Sequence, residues 1–175
     1  MARSNEQKRS RRQEHITAKE INGRTTPASG SRWYSKGDIR SDKFLIECKT
    51  TTKDSYRLTA KAWEKIYKEA LRDGLREPVM RIDLRDKYGD ICSYAVNSLE
   101  AYVFMRRYEA RENEGGRFEY EHYKGYLSSF VINLDDLGDC KIAYVYLSVT
   151  KGCKPDQRSV VIMPWKEFME HAGKI

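Results

Sequence analysis

The chain has 175 residues and a formal net charge of +7. That length favours one domain, and the excess of cations favours a polyanionic partner, nucleic acid first. No apolar run reaches bilayer length, residues 1–15 lack the apolar stretch of a secretory signal, and the four cysteines include no C-x-x-C pair. A membrane span, secretion and a structural zinc site of common spacing are therefore not expected, and reduced thiols in a cytoplasmic compartment are.

Residues 1–12 carry Arg3, Lys8, Arg9, Arg11 and Arg12 against one acid and read as a flexible basic arm. QEHITAKEIN, 13–22, predicts a helix stopped by Gly23. The stretch up to Asp38 is turn-rich, with Pro27, Gly30 and Gly37. KFLIECKT, 43–50, predicts a strand. TAKAWEKIYKEALRDG, 59–74, predicts a helix with Trp63, Ile66, Tyr67, Ala70 and Leu71 on one apolar face and Gly74 as its stop. PVMRIDL, 78–84, and ICSYAV, 91–96, predict two strands about a polar turn. Ser98 is a fitting cap for a helix over 99–110.

A Gly- and charge-rich loop follows, and strands then dominate: 117–123, 126–134, 141–149 and the wholly apolar SVVIM at 159–163. WKEFMEHA, 165–172, closes the chain as a short helix with Trp165, Phe168 and Met169 on its apolar face. These elements predict an α/β fold with a central mixed sheet flanked by helices. The expected organisation is an arm over 1–12, a core over 13–109, and a β-rich extension over 110–175 that returns to the core.

The strand at 43–50 ends in charge. Side chains alternate across a strand, so Phe44, Ile46 and Cys48 share one face while Leu45, Glu47 and Lys49 share the other. Glu47 and Lys49 then stand about 7 Å apart along the strand. A carboxylate and an ammonium so placed suit a hard cation and a water against a phosphate. Glu-x-Lys is common in itself, and Glu6-Gln7-Lys8 is a second instance in the arm. Context distinguishes the first: it ends an apolar strand, and Gly37-Asp38 and a helix bearing glutamates precede it.

Glu14 and Glu20 are both candidates for a helix carboxylate at this site. Glu14 shares its face with Ala18 and Ile21, so periodicity favours it over Glu20, which pairs with Ile16 and Thr17. Ser29 and Ser31 flank Gly30 in the loop before Asp38. Arg32, Lys36, Lys53 and Arg57 surround the motif as candidate phosphate contacts.

RRQEHITAKEINGR, PASGS, KGDI and FLIECKTT, followed by the Trp63 helix and PVMRI, together resemble the PD-(D/E)xK nuclease superfamily, and within it the archaeal-type and phage Holliday junction resolvases. The resemblance covers roughly residues 11–83, with Gly37 where the superfamily pattern has proline. It implies a restriction-endonuclease-like core. Asp38, Glu47, the Cys48 backbone carbonyl and Glu14 would hold Mg²⁺, with Mn²⁺ as a substitute. Lys49 would orient or activate the attacking water, and Ser29 and Ser31 would lie near the scissile phosphate. The implied activity is metal-dependent hydrolysis of DNA phosphodiester bonds by a homodimer acting on branched DNA, in recombination or repair in a bacterial, archaeal or phage setting. A duplex or flap endonuclease, an RNA-processing nuclease, or a non-catalytic DNA-binding protein of the same fold are the rival readings.

Overall fold

A computed structural model describes residues 4–26, 37–98, 120–137, 142–149 and 156–172. The predicted helix over 99–110 lies outside them, as do Ser29, Ser31, Arg32 and Lys36.

The first helix, α1, spans Asn5–Glu20. It therefore takes in most of the expected flexible arm. The reason is a capping box: Ser4 Oγ accepts from the Gln7 N–H, and Gln7 Oε1 accepts from the Ser4 N–H, each at 3.2 Å. The far end closes one residue before the expected stop. Asn22 takes a left-handed φ of 51°, and the Gly23 N–H donates to Ala18 O at 2.8 Å. This is a Schellman closure with asparagine in the left-handed position.

Two short strands follow, β1 (Arg24–Thr25) and β2 (Ile39–Arg40), and then β3 (Phe44–Thr50), β4 (Ser55–Thr59) and α2 (Ala60–Arg72). Thr59 caps α2 through a bond from the Ala62 N–H. Trp63, Ile66 and Ala70 are buried as the periodicity predicts, whereas Leu71 stays exposed. Next come β5 (Glu77–Arg85), β6 (Ile91–Ser98), β7 (Tyr120–Leu127), β8 (Ser129–Asn133), a single turn α3 (Leu134–Leu137), β9 (Ile142–Val149), β10 (Asp156–Pro164) and α4 (Trp165–Ala172).

One mixed sheet of eight strands runs β1-β2-β3-β5-β6-β10-β9-β7. β3 and β5 are parallel, joined across α2; β5–β6, β6–β10 and β10–β9 are antiparallel. The strands after residue 119 thus extend the first sheet rather than build a separate one, apart from β8, which pairs with β4 in a small second sheet. Both faces of the large sheet are covered. On one, Leu45, Met80, Ile82 and Val96 pack with Trp63 and Ile66 of α2. On the other, Ile46, Cys48, Val79 and Ala95 pack with Ala18 of α1 and Phe168 of α4. Double coverage explains why β5 is buried along nearly its whole length.

Candidate active site

β3 carries the alternation that its sequence predicts. Phe44, Ile46 and Cys48 enter the core beneath α1 and α4, and Leu45 enters the core beneath α2. Glu47 and Lys49 therefore emerge on the α2 side, where Lys49 Nζ meets Glu47 Oε1 at 2.8 Å. β2 pairs with β3 only as far as Ile39↔Ile46 and Arg40↔Leu45, so beyond Ile46 this edge of β3 is open to side chains. Asp38 fills it. Its N–H donates to Ile46 O at 2.9 Å, and its Oδ2 accepts from the Cys48 N–H at 2.8 Å. A residue's N–H and C=O leave an extended strand on the same edge, so the Cys48 carbonyl also faces the Asp38 side.

Gly37 makes the approach possible. It has φ +67°, and a Cβ there would stand 2.7 Å from Leu45 Cδ1. Proline, locked near −65°, cannot take that conformation. Gly37 thus does more than supply a turn: the chain needs left-handed backbone here, with no side chain above Leu45.

From the opposite face, α1 lies across the end of β3. Gln13 Nε2 donates to Lys49 O at 3.0 Å, and Cys48 Sγ lies 3.8 Å from Thr17 Oγ1. Glu14 is half-buried beside them and accepts from Ser10 Oγ at 3.2 Å. Burial raises the Glu14 pKa, and the Asp38 charge raises it further against the lowering bond from Ser10. The two carboxylates are thus near enough to repel.

Glu20, the other helix candidate, is engaged elsewhere. Its Oε2 accepts from Arg81 Nη1 at 2.5 Å and from Trp165 Nε1 at 2.9 Å. Arg81 is buried, also bonds Thr17 Oγ1 and Asp83 Oδ1, and stacks on the Trp165 ring at 4.6 Å. This network fastens α1 and α4 to the sheet. Its members are ordinary charged residues in sequence, and nothing local marks them as partners.

Electrostatics assign Lys49 a definite state. Burial lowers its pKa, but the bond and charge of Glu47, with Asp38 and Tyr56 adding, outweigh burial and leave it raised. Lys49 is an ammonium at neutral pH. Burial pushes the Cys48 thiol far above its usual range, and the Asp38 charge adds to that, so this sulfur is no nucleophile. Tyr56 of β4 is a further neighbour of the pair, which the sequence alone did not single out. Burial raises its pKa, the Lys49 charge opposes that, and Glu47 adds to it.

Of the proposed phosphate contacts, Lys53 is exposed just past β3. Arg57 alternates with Tyr56 along β4, is exposed, and donates from Nη1 to Ser129 Oγ at 3.2 Å.

Among the described residues, no three His, Cys, Asp or Glu side chains converge as a metal site. The donors nonetheless suit a hard cation in kind. They are carboxylates and a backbone carbonyl, and Glu14 and Asp38 carry like charges that a cation would relieve. Gln13 Oε1, buried at the same strand end, has no partner among the described residues.

Comparison of the chain with protein-family models, with curated proteins and with solved structures finds no match. Among the described residues, no helix is long and apolar enough to cross a membrane.

Proposed function

We propose that this chain is a metal-dependent DNA endonuclease with a restriction-endonuclease-like core, hydrolysing phosphodiester bonds in the manner of a Holliday junction resolvase. The observation that carries the reading lies at one end of β3: Asp38 bonds the Cys48 N–H, Lys49 bonds Glu47, and the Asp38 charge acts on both Lys49 and Glu14. A structural ion pair would need only Glu47 and Lys49. It would not need Asp38 bonded to the same strand end, with its charge acting on Lys49 and on a half-buried Glu14.

Asp38, Glu14, Glu47 and the Cys48 carbonyl are the groups that would hold Mg²⁺ or Mn²⁺. A divalent cation there supplies Lewis-acid stabilisation of phosphate charge and lowers the pKa of water. Glu47 uses Oε1 for Lys49, so Oε2 is the oxygen it can offer. Lys49, protonated and only partly buried, is suited to bind a phosphate oxygen and to donate to the attacking water, not to act as a base. The Asp38–Cys48 bond fixes one oxygen of that carboxylate at the strand end.

The nucleic-acid partner draws support from α1. Lys8, Arg12, His15 and Lys19 recur at i, i+4, i+7 and i+11 on one exposed face, and with Arg11 and Ile16 they line a shallow groove of about 470 Å³. Such a cationic face suits a phosphate backbone. Resolution of a four-way junction needs two coordinated cuts, so the proposal includes a twofold homodimer.

The test is a substrate panel: four-way junction, continuous duplex, flap and single strand, each with Mg²⁺ and with EDTA, beside gel filtration. Paired symmetric nicks confined to the junction, made by a dimer, are expected. Cleavage of duplex or flap in preference would reassign the substrate; folded protein that cuts none of the four would sink the enzyme reading.

A further inference from the structure

β3 and β5 are parallel, with Lys49 level with Ile82 and Thr50 level with Asp83. Both strands therefore point at the same end of the sheet, where the candidate site lies. β5 continues to Arg85, about 10 Å beyond the level of Lys49 at ordinary strand rise. It turns back there into β6, pairing Arg85 with Ile91. The base of this hairpin touches the loop that follows the site, since the Arg85 N–H donates to Lys53 O at 2.9 Å.

The tip combines exposure with rigidity. Tyr88 is 79 % exposed and Ile91 57 %. Leu75 matches that exposure but sits at the opposite end, just before the Glu77 that pairs with Phe44. Asp86 Oδ1 accepts from the N–H groups of both Tyr88, at 2.9 Å, and Asp90, at 2.8 Å. Arg85 Nη1 donates to Gly89 O at 2.7 Å, and Gly89 supplies the φ of +89° that the turn requires. Lys87 Nζ stands 5.1 Å from the Tyr88 ring centre. A braced turn thus holds an aromatic ring and an ammonium out in solvent, on a backbone that has little freedom left to lose on contact.

We propose that this hairpin is a base-stacking wedge. Tyr88 lies against a nucleobase laid open at a branch or interruption in the DNA, a few nucleotides from the phosphate held at Lys49, while Lys87 meets the adjoining phosphate. Continuous duplex offers no open base face at that distance, so the wedge selects branched over unbroken DNA. The inference rests on the nuclease reading and names its substrate class.

The test uses the full chain in EDTA, where nothing is cut. The probes are a four-way junction with 2-aminopurine at its branch nucleotides and a continuous duplex of the same sequence. Binding by wild type should change the branch fluorescence. Tyr88→Ala should weaken junction binding about tenfold or more and remove that change, with duplex binding held within about twofold; Tyr88→Phe should behave as wild type, because stacking needs no hydroxyl. A parallel arm with Mg²⁺ follows cleavage by wild type. If wild type cuts the junction and Tyr88→Ala binds and cuts it equally well, the wedge is wrong and the nuclease reading stands. If wild type neither binds nor cuts any DNA, both fall together.

Discussion

Asp38 Oδ2 accepts the backbone N–H of Cys48 at 2.8 Å, and that bond settles where the carboxylate stands relative to the strand. β2 stops pairing with β3 at Ile46, and a side chain takes over as the next acceptor along the same edge. A carboxylate thus reaches the end of β3 with its register set by sheet geometry rather than by a loose loop. Its neighbours Glu47 and Lys49 are placed by the same strand.

Asp38→Asn keeps the acceptor for Cys48 but removes the charge. Cleavage should fall at least about 100-fold, with little loss of stability. Mg²⁺ should raise the melting temperature of wild type by mass action and raise that of Asp38→Asn less, which differential scanning fluorimetry would read.

Glu14 gives a pH prediction with a definite sign. Its folded pKa lies above the unfolded value, through burial first and the Asp38 charge second. Below the unfolded value both states are protonated and there is no penalty. As pH rises past it the folded state is penalised, fully so above the folded value. Glu14→Gln should therefore be no less stable than wild type at neutral pH, and more stable without metal, yet poorer in cleavage. Wild-type cleavage should fall on acidification, as protons compete with the cation for Glu14. A Glu14→Gln protein that melts well below wild type at neutral pH would contradict this placement.

Gly37 tolerates no side chain. Gly37→Ala puts an alanine at φ +67° and its Cβ against buried Leu45. The backbone term alone costs about 1–2 kcal/mol, and the contact adds to it. Chemical denaturation should show a lower midpoint, and cleavage should fall as well because Asp38 moves with its neighbour. Gly37→Pro should be worse than Gly37→Ala.

Arg81 holds α1 to the sheet through Glu20, Thr17 and Asp83. Arg81→Ala leaves Asp83 buried without its cation, a loss of about 3–5 kcal/mol for a broken buried pair. Arg81→Met refills the volume and, paired with Asp83→Asn and Glu20→Gln, should recover part of that stability. Equilibrium unfolding of the single and combined variants measures the difference.

Part of this was legible in the sequence. Period-two burial in FLIECK placed Glu47 and Lys49 on one face, and the Trp63 periodicity placed α2 against the sheet. The helix face that Glu14 shares with Ala18 turns inward, since Ala18 is buried, while Glu20 pairs with Arg81. What escaped depends on distant partners. β4 is a five-residue strand whose mate β8 lies far along the chain, Arg57 and Ser129 being 72 positions apart. Gln13 and Tyr56 adjoin the site only once α1 and β4 have docked. The first turns of α1 read as an arm because their charges mask the Ser4–Gln7 cap.

The most direct measurement is cleavage of an end-labelled four-way junction by wild type and Lys49→Ala, with Mg²⁺ and with EDTA. Lys49 is a half-exposed ammonium paired with Glu47, so its removal should leave the fold intact. Products with 5′-phosphate and 3′-hydroxyl ends are expected, none in EDTA, and at a rate about 100- to 1000-fold lower in Lys49→Ala. Undiminished cleavage by Lys49→Ala, or cleavage by wild type that persists in EDTA, would contradict it.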